Sequence, residues 1–317
     1  MIRSDLIVDK AGKLYISGNF WQTKTRIDRL INTYITQEKL SDLLEELPKQ
    51  FILPKPRPWA KIAWKNINAK EIVGIKQELF LNLIIGIVNT EAPIRGYTQT
   101  SRQYLAEIHP DMARFVGGVV GTDSKILELG LWEKEERQHS PALIKTYQQL
   151  TGNKCVINPY VPTKYQQKQD TYQDLYRHGL HRIITEYSAV CLYLWLMSQT
   201  SGTIQQVFSE LLQDEINHMT KFLGFGVWLF PKFKFRNLSS STAANKLSKK
   251  TQFQFLANLS STFRRMMGVL HWHDWSIAHK LELIYTFIRV FSCLLSWHRT
   301  LTREYLEKIL GKPELSA

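Results

Sequence analysis

The sequence predicts an all-α fold, and two observations support that prediction. Apolar residues recur at helical spacing through several long segments, of which the first runs from about Ala69 to Leu105. Two Glu-x-x-His motifs, Glu136–His139 and Glu215–His218, each place a carboxylate and an imidazole about one turn apart on one helix face. Each motif can therefore offer both groups to the same metal ion.

Size and composition narrow the class of protein. The chain has 317 residues and 44% hydrophobic content, enough for a substantial core, so disorder cannot describe most of it. Its three cysteines share no close spacing, which argues against a disulfide scaffold or a zinc ribbon and favours a reducing cytosol. We see no secretory signal or lipidation motif, and no apolar run reaches the roughly 18 residues of a spanning helix. We expect a cytoplasmic protein, with peripheral membrane attachment left open.

The charge balance indicates acidic partners. Net charge is +13, and the residues from 231 to 317 carry 14 Lys and Arg against 5 Asp and Glu. Such a surplus favours an acidic carrier protein, an acidic electron donor, anionic lipid or nucleic acid. Nucleic acid is the least favoured of these, because no recognised binding motif accompanies the basic residues.

Composition and periodicity divide the chain into four regions. These are an N-terminal wrapping segment (1–68), a four-helix bundle (69–230), a basic flexible loop (231–250) and C-terminal basic amphipathic helices packed on the bundle (251–317). The last region is predicted to contain helices at about 251–270 and 275–310, whose apolar face could instead lie on anionic lipid.

The wrapping segment is predicted to contain one amphipathic helix, from about Arg26 to Leu47. Three tryptophans, Trp21, Trp59 and Trp64, could cover the open end of a bundle. We interpret each of them as an ordinary packing residue.

The first two bundle helices each contain a candidate ligand. Glu91 lies in the apolar stripe of the first helix, where an unpaired carboxylate is costly to bury, and Pro93 is expected to bend that helix. The alternative is that Glu91 merely marks a helix end. Thr122–Asp123 offers an N-cap for a second helix that contains Glu136 and runs to about Gly152.

The third and fourth helices are predicted to form an antiparallel hairpin. The third runs from about Tyr172 to Met197 and the fourth ends near Phe230, with a turn near Thr200. Glu186 lies 14 residues before that turn and Glu215 lies 15 residues after it. At about 1.5 Å per residue, the hairpin sets these two carboxylates side by side.

Taken together, these residues match the inward-facing set of a ferritin-like di-iron bundle, which has two single Glu and two Glu-x-x-His motifs. Four carboxylates and two imidazoles suit two metal ions about 3.5 to 4 Å apart. We expect two iron ions, with manganese or a mixed pair left open. The predicted ligands are Glu91, Glu136, His139, Glu186, Glu215 and His218.

Four residues near the predicted ligands require separate interpretation. Asp214 either accepts a hydrogen bond from the second ring nitrogen of a ligand histidine or is simply exposed. Trp132 is a further candidate for a supporting contact, whereas Glu135 is predicted to be a solvated neighbour of Glu136. His181 lies about 140° round its helix from Glu186, so we do not expect it to join the cluster.

The run Trp132–His139, followed by Leu143, Tyr147 and Gly152, resembles the soluble acyl-carrier-protein desaturases, a ferritin-like di-iron family. Two further segments resemble ligand motifs of that family. They are Thr90–Pro93, with Tyr97 after it, and Asp214–His218. The resemblance covers about residues 70 to 230 and is more specific for the metal site than for the substrate.

This resemblance implies oxygen-dependent removal of hydrogens from an unactivated acyl chain, held on an acidic carrier protein or lipid. It implies a ferredoxin-like electron donor and a basic surface that docks the carrier; a homodimer and contact with an anionic membrane are left open. The family pattern makes Glu136 and Glu215 bridging ligands, and Glu91 and Glu186 terminal ones.

The sequence also departs from the family. Gln138 and Asn217 stand where the family has Arg before each ligand histidine, and Ala189 stands where it tends to have Thr near the oxygen site. These departures keep two alternatives open. One is a di-iron oxygenase or hydroxylase that acts on another small metabolite, although arylamine-oxygenase-like ligation would require a histidine at Arg182. The other is a non-catalytic metal-binding or membrane-surface protein.

Overall fold

The computed structural model describes residues 20–162, 164–166, 170–230, 264 and 267–313, and the backbone of 6–8 and 14–16. Over these residues the chain is mostly helical, so the all-α prediction is confirmed. The strands are two short antiparallel pairs: β1 (Leu6–Val8) with β2 (Leu14–Ile16), and β3 (Val119–Val120) with β4 (Ile126–Glu128). Within the described ranges, no helix combines the length and the apolar character that crossing a membrane requires.

The N-terminal region forms three helices, α1 (Phe20–Tyr34), α2 (Gln37–Glu45) and α3 (Leu47–Ile52). The prediction of one helix from Arg26 to Leu47 is therefore wrong. The chain restarts at Thr36, which is extended and accepts a hydrogen bond from the backbone N–H of Lys39. Such a side-chain cap starts a new helix.

The predicted first bundle helix is two helices, α4 (Gln77–Glu91) and α5 (Ile94–Leu105). They separate because Pro93 has no backbone N–H and its ring would clash with the carbonyl of Asn89. That carbonyl instead accepts a hydrogen bond from the backbone N–H of Tyr160, at 3.0 Å. The expected bend is thus a complete break, and the last residue of α4 lies at its edge.

After α6 (Pro110–Gly117), the predicted second bundle helix is α7 (Leu131–Glu136) followed by α8 (His139–Thr151). The predicted start at Thr122–Asp123 is wrong, because the chain first forms the β3–β4 hairpin. A proline, Pro141, lacks the N–H that would bond the carbonyl four residues earlier, which accounts for the break before α8. The predicted end is confirmed, since Gly152 is a left-handed C-cap with φ 72°.

The predicted hairpin is confirmed as α9 (Thr171–Ser198) and α10 (Gly202–Leu229), which pack along their length. The start of α10 is held by Glu71, whose carboxylate accepts hydrogen bonds from the backbone N–H groups of Thr203 and Ile204 at 2.9 and 3.0 Å. A carboxylate at this end also complements the helix dipole. Glu71 belongs to a short 3-10 turn in the segment that was predicted to begin the first bundle helix.

The C-terminal region contains α11 (Ile277–His298) and α12 (Arg303–Leu310), so the single helix predicted at 275–310 is interrupted. The interruption comes from Thr302, which caps α12 by accepting from the backbone N–H of Tyr305. Helix α11 packs on α1 and α9, and α12 packs on α10. The loop predicted at 231–250, and most of the helix predicted at 251–270, lie outside the described residues.

Helix α10 is the centre of the molecule, because α2, α7, α8, α9 and α12 all contact it. Its middle carries polar side chains that are almost entirely buried, namely Glu210, Asp214, Glu215, Asn217 and His218. Buried polar groups require partners. Those partners come from α4, α7, α8, α9 and the segment between α3 and α4, and together they form the candidate site.

Candidate metal centre

The structure brings all six predicted ligands together. The ligand atoms of Glu136, Glu186, Glu215 and His218 lie within 4.8 Å of one another, as do those of Glu91, His139 and Glu215. Both imidazoles are fully buried. Glu91 is the most exposed of the six, with 13% of its side chain accessible. These Glu and His groups could therefore hold a metal ion.

The carboxylate of Glu136 lies between the two imidazoles, and Glu215 belongs to both groups of ligand atoms. Nδ1 of His139 is 3.5 Å from Oε2 of Glu136 and 3.3 Å from Oε1 of Glu215. Nδ1 of His218 is 2.9 Å from Oε1 of Glu136. Glu91 lies 3.5 Å from Nδ1 of His139, and Glu186 lies 3.9 Å from Nδ1 of His218.

Four buried atoms at the centre have no hydrogen-bond partner among the described residues. They are Oε2 of Glu91, Nδ1 of His139, Oε2 of Glu215 and Nδ1 of His218. The contact between His218 and Glu136 is short enough for a hydrogen bond but lacks the alignment of one. Burying an unsatisfied polar atom is costly, and all four atoms are donors to a metal ion. The residues present therefore fit a metal.

Each histidine is braced by a second carboxylate on its other ring nitrogen. Nε2 of His139 lies 3.3 Å from Oδ2 of Asp214, and Nε2 of His218 lies 2.9 Å from Oε2 of Glu135. A hydrogen on Nε2 directed at these carboxylates leaves the Nδ1 lone pair facing the centre. The bracing is crossed, because each bracing carboxylate comes from the other motif. Asp214 precedes the glutamate of the second motif but holds His139 of the first, and Glu135 precedes the glutamate of the first motif but holds His218 of the second.

The prediction that Glu135 is solvated is wrong, because its side chain is completely buried. Of the two readings of Asp214, the structure supports the buried one. The sequence did contain a signal for Glu135. An acidic residue comes directly before the ligand glutamate in both motifs, and the same position in equivalent motifs is expected to have the same role.

Arg57, between α3 and α4, connects the two bracing carboxylates. Its Nε donates to Oδ1 of Asp214 at 2.7 Å, its Nη1 donates to Oε2 of Glu210 at 2.7 Å, and its backbone N–H donates to Oε1 of Glu135 at 2.9 Å. Trp59 donates from Nε1 to the other oxygen of Asp214 at 2.7 Å. The interpretation of Trp59 as an ordinary packing residue is therefore wrong, and nothing in the sequence marked Arg57.

Three more side chains hold the ligand carboxylates. Trp132 donates from Nε1 to Oε1 of Glu136 at 2.9 Å, and the hydroxyl of Tyr193 donates to Oε1 of Glu91. The guanidinium of Arg182 is 3.7 Å from Oε1 of Glu186 and lies 4.6 Å from the ring centre of Trp132. Sequence analysis named Trp132 but missed Tyr193 as a neighbour of the site.

The electrostatics of the centre favour bound positive charge. Burial alone would lower the pKa of His139 and of His218, but the carboxylates around them raise both pKa values well above the ordinary 6.5. Burial, and then the negative charges of Glu136 and Glu186, raise the pKa of Glu215 well above 4.5. Without cations, the centre therefore takes up protons. Metal ions would supply the same positive charge.

His178 lies outside the cluster. It is 2.9 Å from the hydroxyl of Ser101 and stacks on the ring of Tyr104. Burial lowers its pKa well below the ordinary value, in contrast to the two histidines of the centre. His178 is thus a partly buried histidine outside the centre, which makes it a useful internal control.

Comparison of the chain with protein-family models, with curated proteins and with solved structures found no match. The functional proposal therefore rests on the fold and on the geometry of the site.

Proposed function

We propose that the chain is a di-iron oxidoreductase that activates dioxygen to oxidise an unactivated C–H bond. In this proposal, α4, the α7–α8 pair, α9 and α10 form a ferritin-like four-helix bundle around the metal pair. Glu136, which contacts both imidazoles, and Glu215, which belongs to both groups of ligand atoms, would be shared by the two irons. Glu91 and Glu186 would each hold one iron.

One observation carries the proposal: four unpartnered, metal-binding atoms face one another at the buried centre, while the outer nitrogen of each imidazole is held by a carboxylate. A bundle that used these residues only for structure would pair those four atoms with one another or with protein donors. Four carboxylates also offset the charge of two divalent ions.

Two irons bound here would bind and reduce dioxygen. The protein would orient the ligand side chains and exclude water from the centre. Asp214 and Glu135 fix the ring positions of His139 and His218. In the presence of metal they keep the ring hydrogen on Nε2, so that each ring is neutral and its Nδ1 can bind the metal. The surrounding burial keeps bulk water away from a reactive centre, which prevents side reactions.

Tyr193 has a hydroxyl that donates directly to a candidate ligand. Burial and the charge of Glu91 raise its pKa well above 10, so it stays protonated at neutral pH. Its hydrogen bond to Oε1 of Glu91 directs the second oxygen of that carboxylate toward the centre. Tyr193 therefore orients a terminal ligand without adding charge.

The resemblance to acyl-carrier-protein desaturases supports a fatty acyl group as the substrate. With that substrate, an acidic carrier protein would dock on the basic surface and a ferredoxin-like donor would supply electrons. A hydroxylase for another small metabolite would use the same centre. The class of reaction rests on the site, whereas the acyl substrate rests on the sequence motifs alone.

The deciding experiment measures metal content per chain in protein purified after iron supplementation, with optical spectra before and after reduction and exposure to oxygen. We expect about two irons per chain and a spectrum that changes with oxygen. Folded protein without stoichiometric metal would contradict the proposal and favour a structural or membrane-surface role. Metal that does not respond to reductant or oxygen would favour a non-catalytic metal-binding protein.

A further inference from the structure

A surface cavity of about 580 Å³ opens at the break between α4 and α5. Ala92, Pro93 and Ile94 line it from that break, and Pro162 lines it from the connection before α9. Its volume lies in the range of small-molecule sites. The break that Pro93 imposes on the helix is therefore also what opens the cavity.

The cavity adjoins the metal centre. Glu91 is followed directly in the chain by Ala92 and Pro93, which line the cavity. It is also the candidate ligand with the largest exposed fraction, 13%, whereas Glu136, Glu186 and Glu215 are each exposed by 6% or less. The most exposed candidate ligand is thus the one whose next residue in the chain lines the cavity.

Two arginines also line the cavity, and they share one counter-charge. Arg95 pairs with Oε2 of Glu133, and Arg137 donates to Oε1 of the same carboxylate at 2.8 Å. Glu133 is fully buried, whereas both arginines are partly exposed. One carboxylate neutralises one guanidinium, so the pair leaves one positive charge at the cavity.

Donor groups remain available on both guanidiniums. Among the described residues, the hydrogen bonds of Arg95 use Nη1, and those of Arg137 use Nε and Nη2. Nε and Nη2 of Arg95 and Nη1 of Arg137 are therefore left to bind a ligand. Glu133 also fixes both side chains, so little side-chain entropy would be lost when an oxyanion binds.

We propose that this cavity is the substrate site and that it takes a small carboxylic acid in its free, ionised form. The carboxylate lies on Arg95 and Arg137, and the apolar body lies along Ala92, Pro93 and Ile94. This inference rests on the proposed function, because it assigns the substrate of the same centre. It replaces a carrier-bound acyl group with a free acid: a thioester carbonyl has no charge for the guanidiniums to neutralise.

The test titrates the metal-free full chain with hexanoate by isothermal titration calorimetry, with uncharged hexanamide as the matched ligand. Wild-type protein is expected to bind hexanoate and to bind hexanamide at least about tenfold more weakly, since a hydrogen bond to a charged group contributes more than one to a neutral group. Equal binding of the two ligands, or no binding of hexanoate, would overturn the inference.

Substitutions then locate the binding site. Arg137→Gln is expected to weaken hexanoate binding at least about tenfold, and Arg137→Lys less, because lysine keeps the charge but loses the planar pair of donors. Arg114→Gln is the matched control: Arg114 is a partly exposed arginine that pairs with Glu128 and does not line the cavity. Equal affinities in the Gln variants of Arg137 and Arg114 would contradict the assignment. Thermal unfolding checks that each variant is folded.

Metal content and acid binding are measured on the same preparations, so the two proposals can fail separately. Two irons per chain without hexanoate binding would overturn the substrate inference alone. Hexanoate binding without metal uptake would overturn the metal centre, and with it the role of the acid as substrate, but would leave the cavity as an acid-binding site. In protein loaded with manganese, the NMR signals of hexanoate are expected to broaden because the cavity adjoins the paramagnetic ions; sharp signals in fully loaded, hexanoate-binding protein would show that the cavity is not the route to the metals.

Discussion

The two Glu-x-x-His motifs have the same spacing but different backbones. The first crosses from α7 to α8, with Arg137 and Gln138 between the helices, whereas the second lies inside the uninterrupted α10. Both intervening residues keep helix-like angles, φ −63° and ψ −12° at Arg137 and φ −82° and ψ −24° at Gln138. The ligand pair therefore needs the local turn of a helix and does not need a continuous helix.

The bracing of the two histidines also differs. Asp214, which holds His139, accepts from both Arg57 and Trp59, and the charges of His139 and Arg57 outweigh burial and lower its pKa. Glu135, which holds His218, accepts the backbone N–H of Arg57. The first histidine is thus held through a charged network, and the second through one shorter contact. Four experiments test this comparison, beginning with the largest expected effect.

Loss of one motif should empty both metal positions. Glu136→Ala or His218→Ala is expected to abolish binding of two metals per chain, because Glu136 lies between the imidazoles, while helical content is retained through the apolar faces. Metal analysis and circular dichroism measure both effects. His178→Ala, at a partly buried histidine outside the centre, is the control and should keep full metal content. A ligand variant that still binds two metals would show that the assignment is wrong.

Arg57→Ala should disturb the bracing of both ligand histidines at once. It leaves Asp214 and Glu210 as buried carboxylates without their cation, and breaking such a pair costs about 3–5 kcal/mol. Urea unfolding of the metal-free protein measures the loss of free energy. Arg114→Ala, which removes an exposed pair, should change it by about 0.5 kcal/mol or less. A similarly small change in Arg57→Ala would mean that the network does not hold the centre.

Glu135→Gln and Asp214→Asn should each weaken metal binding at one histidine only. Each removes the charge behind one histidine, and outer contacts of this kind change metal affinity by about 10- to 100-fold. Metal titrations should show one weakened and one nearly unchanged site in each variant. Asp214→Asn should also reduce stability more, because it removes one of the two carboxylates that pair with Arg57. Equal weakening of both sites in both variants would indicate that the metals bind as a single unit.

The smallest effect concerns pH. The folded pKa of Glu215 is raised well above 4.5, and those of His139 and His218 well above 6.5. As pH rises above these ordinary values, the folded metal-free protein holds more protons than the unfolded chain, so its stability should fall with pH. The lowered pKa values of Glu136 and Asp214 act in the opposite direction, but below about pH 4.5. Metal-loaded protein should show the opposite slope, because metal must displace those protons. Thermal unfolding across pH, with and without metal, measures both slopes, and parallel slopes would contradict the assignment of these groups to the metal centre.

Much of the fold could be predicted because its signals are local. The α9–α10 hairpin followed from helical periodicity and one clear turn, and the positions of Glu186 and Glu215 followed from the helix rise. Helix boundaries were predicted less well where a single proline or cap decides them. Pro141 breaks the predicted second bundle helix, and Thr36 divides the predicted N-terminal one.

In the candidate site, too, some residues could be predicted from local patterns and others could not. Five ligands could be proposed from spacing, because Glu-x-x-His is a short-range pattern and the hairpin is symmetric about its turn, and Glu91 from its position in an apolar stripe. Arg57 and Tyr193 could not be assigned in the same way. Their roles depend on which residues distant in the chain pack against them, and a lone arginine between two prolines has no pattern that reveals a buried network.

By itself, the sequence determined the helical class, the central hairpin and the set of carboxylates and imidazoles, since each of these depends on residues within a few turns of one another. Only the tertiary structure decided the crossed bracing of the histidines, the insertion of Arg57 between two bracing carboxylates, and the arginine-lined cavity beside Glu91. These features join segments that lie tens to more than a hundred residues apart. Such contacts are set by the path of the whole chain and by the burial of its core, which no local spacing records.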